Sequence, residues 1–143
     1  MPDLLVIDAS CAVTLVVPGP AQSRYEALFA GWKRAGYDLY APGLWIYEVT
    51  SALCKAVRLG GLTTSEAERC LTQALNLGVR LVPADDEQVR TAFAWTQQLN
   101  RAAAYDSFYL ALAESLGCDL WTADQRLRNA VATPWVRLVG APS

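Results

Sequence analysis

The run Leu4-Leu5-Val6-Ile7 is apolar at every position, and Asp8-Ala9-Ser10 closes it at once. A strand on a half-solvated sheet alternates apolar and polar residues, whereas one buried on both faces is apolar throughout. The run therefore reads as a buried strand whose polar C-terminal edge begins at Asp8. Covering both faces of such a strand takes helices, and the chain supplies them.

"CAVTLVVPGP" (11–20) is short and apolar and ends at Pro18-Gly19-Pro20. Residues 22–36 carry apolar groups at helical spacing, Tyr25, Leu28, Phe29 and Trp32, with Gly36 placed to end them. "YDLYAP" (37–42) reads as a second strand, with Pro42 where a helix can begin. From 44 to 59, Trp45, Val49, Ala52, Leu53 and Ala56 form one face. Thr63-x-x-Glu66 is a capping box opening a helix over 62–78. "VRLVP" (79–83) is a third strand, and 84–100 a helix capped by Asp85 or Asp86, with Val89, Ala92, Phe93, Thr96 and Leu99 inward. Residues 104–117 form a helix with a stripe of Tyr105, Phe108, Tyr109, Leu112 and Leu116. "CDLWT" (118–122), a short helix over 122–130 and "WVRLV" (135–139) complete the chain. Strands alternating with helices predict an α/β fold: a three-layer α/β/α domain with a central, mainly parallel sheet.

The length, 143 residues, suits a single domain spanning 1–143, and 53% hydrophobic residues against 18% charged supply a core. A net charge of −2 and a pI of about 5.0 argue against attachment to nucleic acid or membrane through bulk charge. Cys11, Cys54, Cys70 and Cys118 form no C-x-x-C pair and lie in apolar stretches. They are expected to be buried free thiols, which suits the cytoplasm. The N-terminus lacks the basic head and long apolar run of a signal peptide, and no segment is apolar enough to span a bilayer. The chain has no histidine. That excludes imidazole acid–base catalysis, Ser–His and Cys–His nucleophiles, and imidazole-based zinc sites.

Chemistry then falls to carboxylates, hydroxyls, thiols, Lys, Arg or a metal. In open α/β sheets, sites lie outside the C-terminal ends of the strands. Asp8 follows the first strand, and Asp124 follows "LWTA". Glu48 and Lys55 are the only charges from 44 to 57, and Asp106 is the only charge from 102 to 113. Each acid alone has an ordinary structural explanation. Asp8 and Asp106 can cap helices, Glu48 can flank an apolar face, and Asp124 fits the first turn of a helix capped by Thr122, with Gln125 closing the box. Together, four carboxylates at one sheet edge would repel one another unless a cation neutralised them. An all-oxygen set without histidine suits Mg²⁺ or Mn²⁺, ions that support phosphodiester hydrolysis.

"LLVIDASCAV", "APGLWIYEVTSAL" and "AAAYDSFYLALAESLGCDLWTADQRL" resemble, in order, the blocks of PIN-domain nucleases, most of all the VapC-like toxins of toxin–antitoxin pairs. The blocks span residues 4 to 128. The resemblance implies a PIN-like domain and a metal-dependent endoribonuclease. In it, Asp8, Glu48, Asp106 and Asp124 bind Mg²⁺ or Mn²⁺ and activate water. Within the four, Asp8 and Asp106 are expected to hold the principal ion, with Glu48 and Asp124 completing the site or holding a second one. Ser10 and Thr122 match hydroxyl positions that orient carboxylates or waters. RNA as substrate, a cognate antitoxin as partner, a homodimer and no membrane association are further implications. Arg126 and Arg128 beside Asp124, and Arg58 on the helix of Glu48, are the candidate phosphate contacts. Trp45, Tyr47, Tyr105 and Tyr109 flank two of the acids, mostly as core, with some available to a dimer or antitoxin face.

Rival readings are weaker. A haloacid-dehalogenase-type phosphotransferase needs an acid where Ser10 stands. A receiver domain needs adjacent early acids and a late lysine, and the only lysines are Lys33 and Lys55. A non-catalytic RNA- or protein-binding module of the same fold is the remaining alternative, and it leaves four mutually repelling acids without a purpose.

Overall fold

The computed structural model describes residues 3–101 and 104–139. β1 (Leu4–Ile7), β2 (Asp38–Pro42), β3 (Arg80–Val82), β4 (Asp119–Thr122) and β5 (Val136–Leu138) form one sheet in the order β3-β2-β1-β4-β5. Every pairing is parallel, with Val6 opposite Tyr40 on one side and Leu120 on the other. The apolar run is the central strand, and Leu5, Val6 and Ile7 are buried.

The helices are α1 (Ala9–Val16), α2 (Gln22–Ala35), α3 (Leu44–Arg58), α4 (Thr64–Leu75), α5 (Asp86–Gln98), α6 (Tyr105–Leu116) and α7 (Gln125–Val131). α1 packs on α2, α3 and α4, while α5 pairs with α6 and α6 lies over β1, β2 and β4. Right-handed parallel crossovers explain this division: the chain winds one way from β1 to β3, then jumps across to β4 and β5. The winding reverses between β1 and β4, so a crevice opens at their C-terminal ends.

Most local expectations hold. The Thr63–Glu66 capping box is present in both directions, and Gly36 ends α2 in the left-handed conformation. Asp85 caps α5. Four details differ. α3 is entered through Gly43, and Pro42 ends β2 instead of opening the helix. Val89 and Phe93 face solvent, while Ala92 and Thr96 are buried against α6. Small groups permit close packing there, and the Thr96 hydroxyl donates to Ser107 Oγ at 2.7 Å. Tyr105 is also exposed, at the very start of α6, whose buried residues are Ser107 and Tyr109 through Ala113. All four cysteines are free, but Cys54 is exposed on α3 and Cys118 is half-buried. No described helix is long and apolar enough to cross a membrane.

Candidate active site

Each of the four acids lies at or near a helix N-terminus. Asp8 is the N-cap of α1, where it accepts from the Cys11 amide at 3.1 Å and the Ser10 hydroxyl at 2.5 Å. Its own amide donates to Trp121 O of β4, which stitches the two strand ends at the crevice. Asp124 is the N-cap of α7, accepting from the amides of Arg126 and Leu127. This corrects the expectation that Thr122 caps that helix. Thr122 still belongs to β4, and its Oγ1 accepts from the Asp124 amide at 2.9 Å, holding the turn that makes Asp124 the cap.

Ser10 joins the two acids. Its Oγ donates to Asp8, accepts from the Ala123 amide at 2.9 Å and lies 3.5 Å from Thr122 Oγ1. A polar chain thus runs Asp8–Ser10–Thr122–Asp124 across the mouth of the crevice.

Glu48 and Asp106 enter from the helices beside it. α3 starts directly after β2 and carries Glu48 in its second turn. α6 ends at Gly117, and the chain then enters β4, so α6 runs against the strands and begins at their C-terminal edge. Asp106 occupies its first turn, without acting as the cap. Tyr109, one turn on from Asp106, donates its hydroxyl to Glu48 Oε1 at 2.5 Å. Arg101 Nη1 donates to Asp106 Oδ2 at 3.1 Å.

The electrostatics bind the four together. Burial pushes the Asp8 carboxyl up to about 6; the Ser10 and Thr122 hydroxyls and the Cys11 amide oppose the rise, and the Asp106 charge adds to it. Burial also raises Glu48, against the Tyr109 hydrogen bond and with help from Asp106. Asp106 is raised by burial, against Arg101 and with help from Asp124. Asp106 is therefore the member whose neighbourhood includes all three others.

Among the described residues, no three His, Cys, Asp or Glu side chains are grouped so as to hold a metal ion as they stand. The acids are instead held by protein donors: Ser10, Tyr109, Arg101 and the helix amides. The donor set still fits a hard divalent cation. It is all oxygen, and burial disfavours the charged forms of Asp8, Glu48 and Asp106. Mg²⁺ commonly takes few carboxylates and keeps waters, so it needs no closed cage.

Residues 5–132 match the family described as PIN domain. The chain belongs to the PIN-domain family. Ribonuclease VapC3 of Pyrobaculum aerophilum is 32% identical over 134 residues, covering 91% of this chain and 98% of that protein. Ribonuclease VapC3 of Mycobacterium tuberculosis is 31% identical over 131 residues, covering 90% and 88%. Among solved structures, a Pyrobaculum aerophilum protein superposes with a TM-score of 0.69 at 25% identity, covering 97% of this chain and 92% of that one. Mycobacterium tuberculosis VapC20, described as a sarcin–ricin loop cleaving toxin, superposes with a TM-score of 0.66 at 15% identity, covering 93% and 98%. The PIN fold is thus shared along the whole sheet, and the relatives named ribonucleases support ribonuclease activity for this PIN protein.

Two site residues escaped the reading of the sequence. Tyr109 was assigned to an inward stripe, and its spacing of three from Asp106 was the available signal. Arg101 is the first charge before Asp106 along the chain. Of the candidate phosphate contacts, Arg126 and Arg128 lie on α7, just past Asp124. Arg58 ends α3, about 15 Å of helix rise beyond Glu48, and stands well away from the crevice.

Proposed function

We propose that the chain is a Mg²⁺- or Mn²⁺-dependent endoribonuclease of the VapC type, acting in the cytoplasm as the toxin of a toxin–antitoxin pair. The observation that carries this reading is the hydrogen-bonded chain Asp8–Ser10–Thr122–Asp124 at the point where the sheet reverses its winding, with Glu48 and Asp106 entering beside it from α3 and α6.

Asp8 and Asp106 would hold the principal ion, with Glu48 and Asp124 completing its surroundings. When bound, a divalent ion there lowers the pKa of a water and stabilises the charge on the leaving oxygen. Ser10 and Thr122 fix the directions of Asp8 and Asp124. Tyr109 donates to Glu48 Oε1, and Oε2, which has no hydrogen-bond partner among the described residues, would accept a proton from an attacking water. Burial brings that carboxylate nearer the pKa a general base needs. Arg126 and Arg128, on α7 just past Asp124, would meet phosphates of the RNA. Tyr47, Phe93 and Tyr105 are exposed aromatics, the material from which a second copy and an antitoxin segment would each build a contact.

The test is cleavage of a labelled single-stranded RNA. Protein stripped with EDTA should be inactive, and millimolar Mg²⁺ or Mn²⁺ should restore cleavage. Undiminished cleavage in EDTA contradicts the proposal.

A further inference from the structure

Three ion pairs occur among the described residues. Arg80–Asp38 and Arg137–Asp119 join neighbouring strands. Arg101–Asp106 alone involves one of the four acids. Its geometry is that of a single-point, partly exposed contact. Only one of the guanidinium's nitrogens reaches Asp106, at 3.1 Å to Oδ2, and the two side chains remain 29% and 37% exposed. The Arg101 backbone is tied down by its N–H, which donates a hydrogen bond to Thr96 O at 3.1 Å, next to the left-handed turn at Asn100. The anchor is therefore in the main chain, and the side chain can swing without moving α5 or α6.

A guanidinium does not lose its proton, so its charge can leave the cluster only by moving. A divalent ion ligated by Asp106 Oδ2 would face that charge at contact distance. The two cations compete for one oxygen. Once displaced, a planar guanidinium beside the site matches a phosphate in shape and charge.

We propose that Arg101 is the built-in counter-cation of the cluster: it holds Asp106 when no metal is bound, yields Oδ2 to the incoming ion, and then contacts a phosphate of the bound RNA. This rests on the reading of the four acids as a metal site. It makes Arg101 a substrate contact whose removal should have opposite effects on metal and on RNA.

The experiment compares wild type, Arg101→Ala and Arg101→Lys as full chains. Mn²⁺ is titrated by calorimetry without RNA, and KM and kcat are measured on a labelled mixed-sequence single-stranded RNA at saturating Mn²⁺. Arg101→Ala should bind Mn²⁺ roughly two- to fivefold more tightly, the range for losing a partly exposed ion pair. Its KM for RNA should rise severalfold, with kcat much less affected. Arg101→Lys, which keeps the cation, should stay near wild type in Mn²⁺ affinity. Unchanged or weaker Mn²⁺ binding by Arg101→Ala, an unchanged KM, or Lys behaving as Ala overturns the proposal and leaves the metal site standing. Failure of the wild type itself to bind Mn²⁺ overturns the metal site and this proposal together.

Discussion

Asp8 sits where the chain gains and loses most. As an N-cap it satisfies the Cys11 amide, yet it is buried at the tip of the central strand with its carboxyl raised to about 6. Its folded pKa exceeds the unfolded value, so the folded state binds the extra proton. Stability from this group is present at low pH and falls as pH rises from about 4 through 6. The span corresponds to about 3 kcal/mol. Urea unfolding of metal-free protein should show this decline, and Asp8→Asn, which can still cap, should flatten it. An equal slope in the variant would show that Asp8 is not its source. Tyr109→Phe keeps the packing and removes the donor to Glu48. It should cost about 1 kcal/mol in the same assay and reduce RNA cleavage without unfolding the protein. Glu48 and Asp106 were legible as isolated charges in apolar surroundings, and Asp8 and Asp124 as acids that follow apolar strands. Arg101 and Tyr109 were not, since an arginine at a loop and a tyrosine on a core stripe look the same whether or not they meet an acid.

The elements explain why these carboxylates stand in place. Asp8 and Asp124 cap α1 and α7, Asp106 lies in the first turn of α6, and Glu48 in the second turn of α3. Helix N-termini favour negative charge and offset part of the cost of gathering it. Asp124 therefore has two roles that substitutions separate. Asp124→Asn keeps the cap of α7 and should leave the melting temperature near wild type, whereas Asp124→Ala should lose about 1 kcal/mol, and both should lower cleavage. Equal stability in the two variants would argue that the cap bonds contribute little. Continuous apolar runs and helical spacing made the elements readable, because each is set by nearby residues. Capping was harder: Thr122 and Asp124 both suit a helix start, and only the end of β4 decides between them. The inward face of α5 was misread because Val89 and Phe93 mark one apolar stripe while Ala92 and Thr96 mark another. Contact with α6 chooses the second.

At the scale of the molecule, what the sequence withheld is strand order. Nothing local places β4 beside β1, yet that neighbourhood brings Asp8 within one hydroxyl bridge of the Thr122–Asp124 turn. The family resemblance anticipated the fold, while the pairing itself follows from long-range packing of α6 over β1, β2 and β4. The same packing makes Asp106 the centre of the charge cluster, so the whole account converges on that carboxylate. Asp106→Asn removes one charge at constant size and gives up only a partly exposed ion pair, worth about 0.2–1 kcal/mol. Because burial and Asp124 disfavour its charged form, the metal-free variant should melt no lower than wild type. The decisive measurement is RNA cleavage by this folded variant at saturating Mn²⁺. Cleavage should be lost, and cleavage at the wild-type rate would remove Asp106 from the catalytic site.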